Sequence, residues 1–517
     1  MKRKMMGVIA VLCVLCVLLT GCGGNDAAPA ATEAPKEQGE PFAEVTDDKD
    51  FSSLRTPGSQ EAAYEYKTFF LPAIDGISQP YVGDTMPYYE NGTYYIYYLK
   101  EGGDSYNHSL YLATTTDFLT YTEYDAPIIE SSRSGGQDGW AGTGSVVKVK
   151  DTYYFFYTGH ASSNIYEYME KVMVAKGSDL THFEKMEDWA ITPDASLGQK
   201  NDFRDPQAYY DEATDTITLT ITASQGNTAR ILKYTVSGDL QTVTYDGIIF
   251  TNPVGNFWNL ECSDTFKLGD TWYITYSAQD DTLWYASSET PYGPYGEPKR
   301  LDGKLFYAAK HVEGPDGAYM VGWARRSESP SSTSEVSGWA GNLAVQKLIR
   351  KDNGDLALLP VDQVAGQFNQ RRKLVIEEDA LQVQAGSRYN YTEVFTCYES
   401  FKLTGKFTYT GKGSFGLVFD YNGQAGKYKM ISLDPASQTI QLLFNEGSTL
   451  ITETAAAVLE KDREYSFTYI QEGSVGIFYL DDLASLTVRL YGVSGKPIRV
   501  FVENNSVTFT DLREYTR

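Results

Sequence analysis

Three carboxylic acids stand in one relation to a repeated strand. Asp84, Asp205 and Glu261 lie 9, 11 and 10 residues ahead of Thr93-Tyr94-Tyr95-Ile96-Tyr97-Tyr98, Thr216-Ile217-Thr218-Leu219-Thr220-Ile221 and Thr271-Trp272-Tyr273-Ile274-Thr275-Tyr276. An acid taken out of water costs free energy unless it is paired or used. Two carboxylates across a glycosidic bond can hydrolyse it, one acting as nucleophile or base and the other protonating the leaving oxygen; a third can hold hydroxyls. One such acid alone would be a turn or cap residue, but the shared offset points to a common cleft.

The elements that must position these acids come from an internal repeat. The aromatic strand recurs at Thr152-Tyr153-Tyr154-Phe155-Phe156-Tyr157-Thr158 and, more loosely, at Ala318-Tyr319-Met320-Val321-Gly322-Trp323. That makes five copies at intervals of 59, 64, 55 and 47 residues. A turn former precedes each copy (Gly92, Asp151, Asp215, Asp270, Gly317), and a second short strand follows it. Some units continue into a further strand, as at Asp117-Phe118-Leu119-Thr120-Tyr121. Several strands per unit, with no amphipathic helix, predict an all-β protein: a five-bladed β-propeller over residues 61–365 with the acids on its innermost strands. Residues 370–517 lose the repeat but keep strand-like runs such as Thr439-Ile440-Gln441-Leu442-Leu443-Phe444. They are expected to form a C-terminal β-sandwich that packs on the propeller or binds sugar.

Composition agrees with this. The 517 residues exceed one ordinary domain, and 14% are aromatic, with 40 Tyr. With 44 Lys+Arg against 68 Asp+Glu the net charge is −24, which disfavours nucleic acid and electrostatic docking on membranes. The four histidines are scattered without metal-ligand spacing, so neither metal nor cofactor is expected. Cys262 and Cys397 are expected to be buried free thiols, with a single bridge between them as the alternative.

The N-terminus reads as an export signal. Lys2, Arg3 and Lys4 precede an apolar run from Val8 to Leu19, which ends in Leu19-Thr20-Gly21-Cys22. This resembles a bacterial lipoprotein signal peptide over residues 1–21, with Cys22 as the lipidated N-terminus. Residues 22–60, rich in Ala, Pro and Glu, read as a flexible acidic tether. The expected location is the outer face of the bacterial cytoplasmic membrane, with the membrane engaged only through the lipid.

Phe203-Arg204-Asp205-Pro206 and Glu261-Cys262 resemble the paired signatures of glycoside hydrolase family 32, the invertase, levanase and inulinase group. Thr143-Gly144-Ser145, Phe306-Tyr307-Ala308-Ala309 and Gly338-Trp339-Ala340-Gly341 add to the resemblance, which runs through the propeller and into the sandwich at Leu486-Thr487-Val488-Arg489. It implies retaining hydrolysis of β-fructofuranosides in fructans or sucrose-type oligosaccharides. Asp84 would be the nucleophile, Glu261 the acid/base and Asp205 the holder of fructosyl hydroxyls, with Thr143 in the substrate-binding set; Arg204 would bind a sugar hydroxyl or hold a carboxylate in place, and Trp140, Trp258 and Tyr307 would be candidates for stacking on sugar rings, with plain packing as the other role open to them. The chain departs from the family pattern at Gly83-Asp84-Thr85-Met86-Pro87, where the family has Asn-Asp-Pro-Asn-Gly. Leu99 replaces an expected Gln, and Ser263 an expected Pro. Two alternatives remain at this stage: a non-catalytic fructan-binding lipoprotein, and a family 43 arabinofuranosidase or xylosidase, which would invert.

Overall fold

The computed structural model describes residues 64–517 except 74–79, 102–107, 163–165, 227, 256, 327–338, 377–378, 423–426 and 446–448. The expected signal peptide, Cys22 and tether lie outside the described residues.

The Tyr-, Thr- and Val-rich runs form strands, and turn residues set their pairing. Strands β1 (Tyr81–Glu90), β2 (Thr93–Glu101), β3 (Leu110–Thr115) and β4 (Thr122–Glu123) form an antiparallel meander. Between β1 and β2, Asn91 and Gly92 both take positive φ, 51° and 83°, as a two-residue hairpin turn matched to strand twist requires. The expected strand at Asp117–Tyr121 is instead a turn. The Thr115 hydroxyl and the Asp117 carboxylate accept the amide hydrogens of Phe118, Leu119 and Thr120, which satisfies the backbone locally and delays the strand to Thr122.

Three further meanders follow. They are β5 (Trp140–Val149), β6 (Thr152–His160), β7 (Glu170–Gly177) and β8 (Glu184–Ile191); β9 (Gln199–Asp211), β10 (Thr216–Gln225), β11 (Thr228–Ser237) and β12 (Val243–Thr251); then β13 (Leu260–Leu268), β14 (Thr271–Ala278), β15 (Leu283–Ser288) and β16 (Lys299–Arg300). A last unit comprises β17 (Phe306–Gly314), β18 (Gly317–Arg325), β19 (Gly341–Arg350) and β20 (Leu356–Leu359). It joins the first meander through a pairing of Val82 with Gly341. Each repeated aromatic strand is the second of its unit, so each acid rides on a first strand.

The first strands meet in a closed circuit: β1 with β5, β5 with β9, β9 with β13, β13 with β17 and β17 with β1. Apolar side chains fill the gaps between neighbouring sheets, as where Tyr154, Phe156 and Val172 meet Ile217, Leu219 and Leu232. Buried polar groups tie the circuit together. Lys310 of β17 donates to the Gly144 carbonyl (2.9 Å) and to Gln207 (3.0 Å), and Asp264 accepts from Tyr209 (2.7 Å) and the His311 amide (2.8 Å).

After the helix Asp362–Gln367, an eleven-stranded sheet runs from Gln370–Arg371 to the long last strand Pro497–Thr516. It has its own core, including Phe401, Phe407, Tyr465 and Val500. Val475, Ile477 and Tyr479 of this part pack with Phe266, Tyr273 and Met320 of the preceding units. Cys262 and Cys397 are buried and free.

Candidate active site

Every first strand carries a register slip at one equivalent place. The slips fall between Val82 and Thr85, Gly142 and Gly144, Arg204 and Gln207, Glu261 and Asp264, and Tyr307 and Lys310. A bulge re-aims the side chains beside it. The residues at these five bulges, Asp84, Thr143, Arg204 with Asp205, Glu261 and Tyr307, all line one cavity of about 270 Å³. Three of the bulges put non-glycine residues in the left-handed region: Asp205 at φ 56°, Cys262 at 52° and Ala308 at 50°. Such strain persists only where surrounding structure imposes it, and it gathers at functional sites.

Asp84 accepts hydrogen bonds from the Thr143 hydroxyl (2.8 Å) and the Trp323 indole (3.2 Å), one on each oxygen. Desolvation raises its pKa, and the Glu261 charge adds to this. The two hydrogen bonds, which favour the carboxylate, offset only part of the rise. Asp205 is buried, and its backbone and side chain are both tied: its amide donates to Thr158 (2.8 Å), and its carboxylate accepts from the Cys262 amide (2.7 Å). Burial pushes its pKa up to about 7, against the opposing pull of Arg204.

The Glu261 side chain is partly exposed, at 28%. Its Oε1 meets the Arg204 guanidinium at 3.0 Å and its Oε2 accepts from the Tyr307 hydroxyl at 2.7 Å, so the carboxylate is aimed by two partners. Arg204 also donates to Glu170 (2.8 Å) and Asp202 (3.1 Å). Glu170, at the start of β7, further accepts from the Phe203 amide (2.7 Å) and lies 3.2 Å from His160. Burial alone would raise the Glu170 pKa, but the His160 and Arg204 partners outweigh it and hold it low. The Cys262 thiol is buried beside Asp84 and Asp205, which pushes its pKa well up and leaves it unreactive as a nucleophile.

The sequence-derived candidates Asp84, Thr143, Arg204, Asp205, Glu261, Tyr307 and Trp140 therefore converge. Trp258 does not line this cavity; it is 47% exposed, with the Arg204 guanidinium 5.3 Å from its ring centroid. One face of the indole thus meets a cation, because the loop before β13 brings it beside the arginine, and the rest of the ring stays open to solvent. Glu170, His108, His160 and Trp339 also line the cavity and were missed. Only Trp339 had a sequence signal, within Gly338-Trp339-Ala340-Gly341. Leu99 lines the cavity too, so its departure from the family pattern falls inside the site.

An all-β chain whose first strands deliver three acids, an arginine and aromatic side chains to one cavity has the make-up of a carbohydrate-processing fold. Residues 84–360, more than half of the chain, match the glycosyl hydrolases family 32 N-terminal domain, and the chain belongs to that family. It is 27% identical over 301 residues to the sucrose-6-phosphate hydrolase of Escherichia coli, a match spanning 52% of this chain and 61% of that relative. Its fold is similar to the sucrose-6-phosphate hydrolase of Lactobacillus gasseri, with TM-score 0.67, 18% identity, and coverage of 92% of this chain and 98% of the other. It is also similar to fructan 1-exohydrolase IIa of Cichorium intybus, with TM-score 0.69, 15% identity, and coverage of 88% and 97%.

Proposed function

We propose that this chain is a retaining glycoside hydrolase that cleaves β-fructofuranosidic bonds in fructans or sucrose-type oligosaccharides. In this reading residues 61–365 are a five-bladed β-propeller and residues 370–517 a β-sandwich, which the circuit of first strands and the separate C-terminal core support. The observation that carries the function is that Asp84, Asp205 and Glu261 occupy matching bulges around one cavity.

Asp84 attacks the anomeric carbon of a fructosyl unit while Glu261 gives its proton to the departing oxygen, leaving a fructosyl ester on Asp84. Glu261, now ionised, takes a proton from water, and the oxygen of that water displaces Asp84 and restores the starting configuration. Thr143 and Trp323 hold Asp84 in line, while Arg204 and Tyr307 orient Glu261. Asp205 accepts hydroxyl hydrogen bonds that strengthen as charge builds on the sugar ring. The raised pKa of Asp84 makes its ionisation the acid limb of activity, so turnover climbs as pH rises through it.

Asp84→Asn is expected to lower kcat by about 10⁴-fold on every β-fructoside. Glu261→Gln should lose turnover on sucrose yet keep part of it on fructosides with good leaving groups, which need little protonation. Proton and carbon NMR of fresh product should find β-fructose released first. Early release of the inverted anomer would contradict both roles, and a fully active Asp84→Asn would remove the nucleophile. Binding of fructans without turnover would point to the binding-protein alternative.

The proposed location is the outer face of the cytoplasmic membrane, reached through a lipid on Cys22. A Cys22→Ala variant should appear in the medium or as uncleaved precursor. Unchanged incorporation of labelled lipid into that variant would end the anchor proposal.

A further inference from the structure

Each bulge interrupts the ladder of its first strand, so the backbone there must find partners elsewhere. At Gly144, in the β5 bulge, it finds two: the amide donates to Sδ of Met86 (3.0 Å), and the carbonyl accepts from Nζ of Lys310 (2.9 Å). The same ammonium donates to Oε1 of Gln207 at 3.0 Å. Lys310 closes the register slip of β17, Gly144 that of β5 and Gln207 that of β9. One side chain thus joins three of the five bulges. In the circuit of first strands β17 adjoins β1 and β13, so the lysine reaches across the centre to β5 and β9. It is 1% exposed, and both of its partners are uncharged. Burying an ammonium costs free energy that two neutral acceptors offset only in part, so stability alone does not account for this charge.

The three bulges lead to the acids. Thr143, the residue before Gly144, donates its hydroxyl to Asp84 (2.8 Å). Its carbonyl accepts from the Thr158 hydroxyl (2.9 Å), which in turn accepts from the Asp205 amide (2.8 Å). Gln207 follows Asp205 by two residues, and Lys310 follows by three the Tyr307 whose hydroxyl holds Glu261 (2.7 Å). The charge is also felt among these groups: burial, Asp84 and Asp205 push the Cys262 thiol up, and Lys310 opposes them. We infer that Lys310 is a positioning residue for the reaction, fixing the bulges of β5 and β9 against that of β17 so that Asp84 and Asp205 stay aligned on the sugar. This rests on the proposed β-fructosidase activity. Neither hydrogen bond of the lysine goes to an acid, so it acts through the backbone and Thr143. A lysine suits the task because a long stem carries three donors on one compact charge.

The test compares Lys310→Met, Thr143→Val, their double variant and Gln207→Leu with the wild-type protein, using sucrose and a short inulin-type oligosaccharide as substrates. Lys310→Met should lower kcat about 100-fold, as a small misplacement of reacting groups does, and leave KM within about 3-fold of wild type. A merely structural lysine would cost folded protein and leave the kcat of the folded fraction untouched. Because Lys310 works through the Thr143 bulge, the double variant should be about as slow as the slower single variant rather than showing the product of the two losses. Gln207→Leu leaves the lysine in place but removes one end of the tie, and should lower kcat about 10-fold. It carries the reading if Lys310→Met does not fold, which melting temperatures report. Wild-type kcat in the folded variant, a loss confined to KM, or fully multiplicative losses in the double variant would overturn this inference alone. A wild-type protein with no turnover of either sugar overturns the β-fructosidase reading and this inference together.

Discussion

Asp205 is held in a place that suits its neutral form, although function asks it to bind hydroxyls beside two other acids. Its folded-state pKa of about 7 stands above the ordinary value of 3.8, chiefly because it is buried. A group raised in this way favours the fold fully below its unfolded pKa, and that contribution is lost as pH rises through the folded value. Wild-type stability should therefore fall between about pH 4 and pH 7 on account of this residue. Asp205→Asn keeps an oxygen for the Cys262 amide but cannot ionise. It should melt above the wild type at pH 8, by about 2 °C, and should narrow the gap as pH falls to 5. Its turnover should drop severely, the usual exchange of stability against function at an active site. Thermal unfolding across that pH range checks the sign, and a variant less stable than wild type at pH 8 would show that the carboxylate is welcome where it lies.

At the scale of elements, the offsets of 9, 11 and 10 residues pointed to a common cleft because each acid precedes the second strand of a unit, and the first strands meet one another. The unequal offsets are absorbed by hairpin turns of different length and by the bulges. A bulge leaves no mark on residue type, since it changes register and not composition, so the feature that aims Asp84, Asp205 and Glu261 could not be read from the sequence. Glu170 was illegible for another reason. It reaches Arg204 from the start of β7, a strand of the preceding unit, and nothing in its spacing relates it to the Arg204-Asp205-Pro206 motif. His108 and His160 looked like isolated histidines because their carboxylate partners, Glu101 and Glu170, lie 7 and 10 residues away on neighbouring strands. The aromatic candidates divided by the same logic. Trp140 begins a first strand and lines the cavity, whereas Trp258 precedes one and packs against Arg204 instead.

For the whole molecule, the critical feature is how the eleven-stranded sheet is joined to the units that carry the cavity. Asp302, between β16 and β17, is 1% exposed, and its carboxylate accepts from Gln346 (3.0 Å), Ser485 (2.8 Å), the Thr487 amide (2.9 Å) and the Thr487 hydroxyl (3.1 Å). Arg489 completes the junction by donating to the carbonyls of Arg325 (2.9 Å) and Ala324 (2.8 Å) and to Asn342 (2.9 Å). The junction also bears on the site, for Arg325 lies 4.6 Å over the ring of Tyr307, which holds Glu261. Asp302→Ala would strand several buried donors at once, a cost of about 3–5 kcal/mol when one member of a buried polar network is removed. Asp302→Asn keeps one acceptor oxygen and should cost roughly half as much. The Ala variant should melt several degrees lower and be cut faster by protease at the connection near residue 370, while the kcat of the folded fraction at 25 °C stays close to wild type. A melting temperature and cleavage pattern unchanged from wild type would mean that the apolar contact of Val475, Ile477 and Tyr479 with Phe266, Tyr273 and Met320 holds the two parts together without this carboxylate.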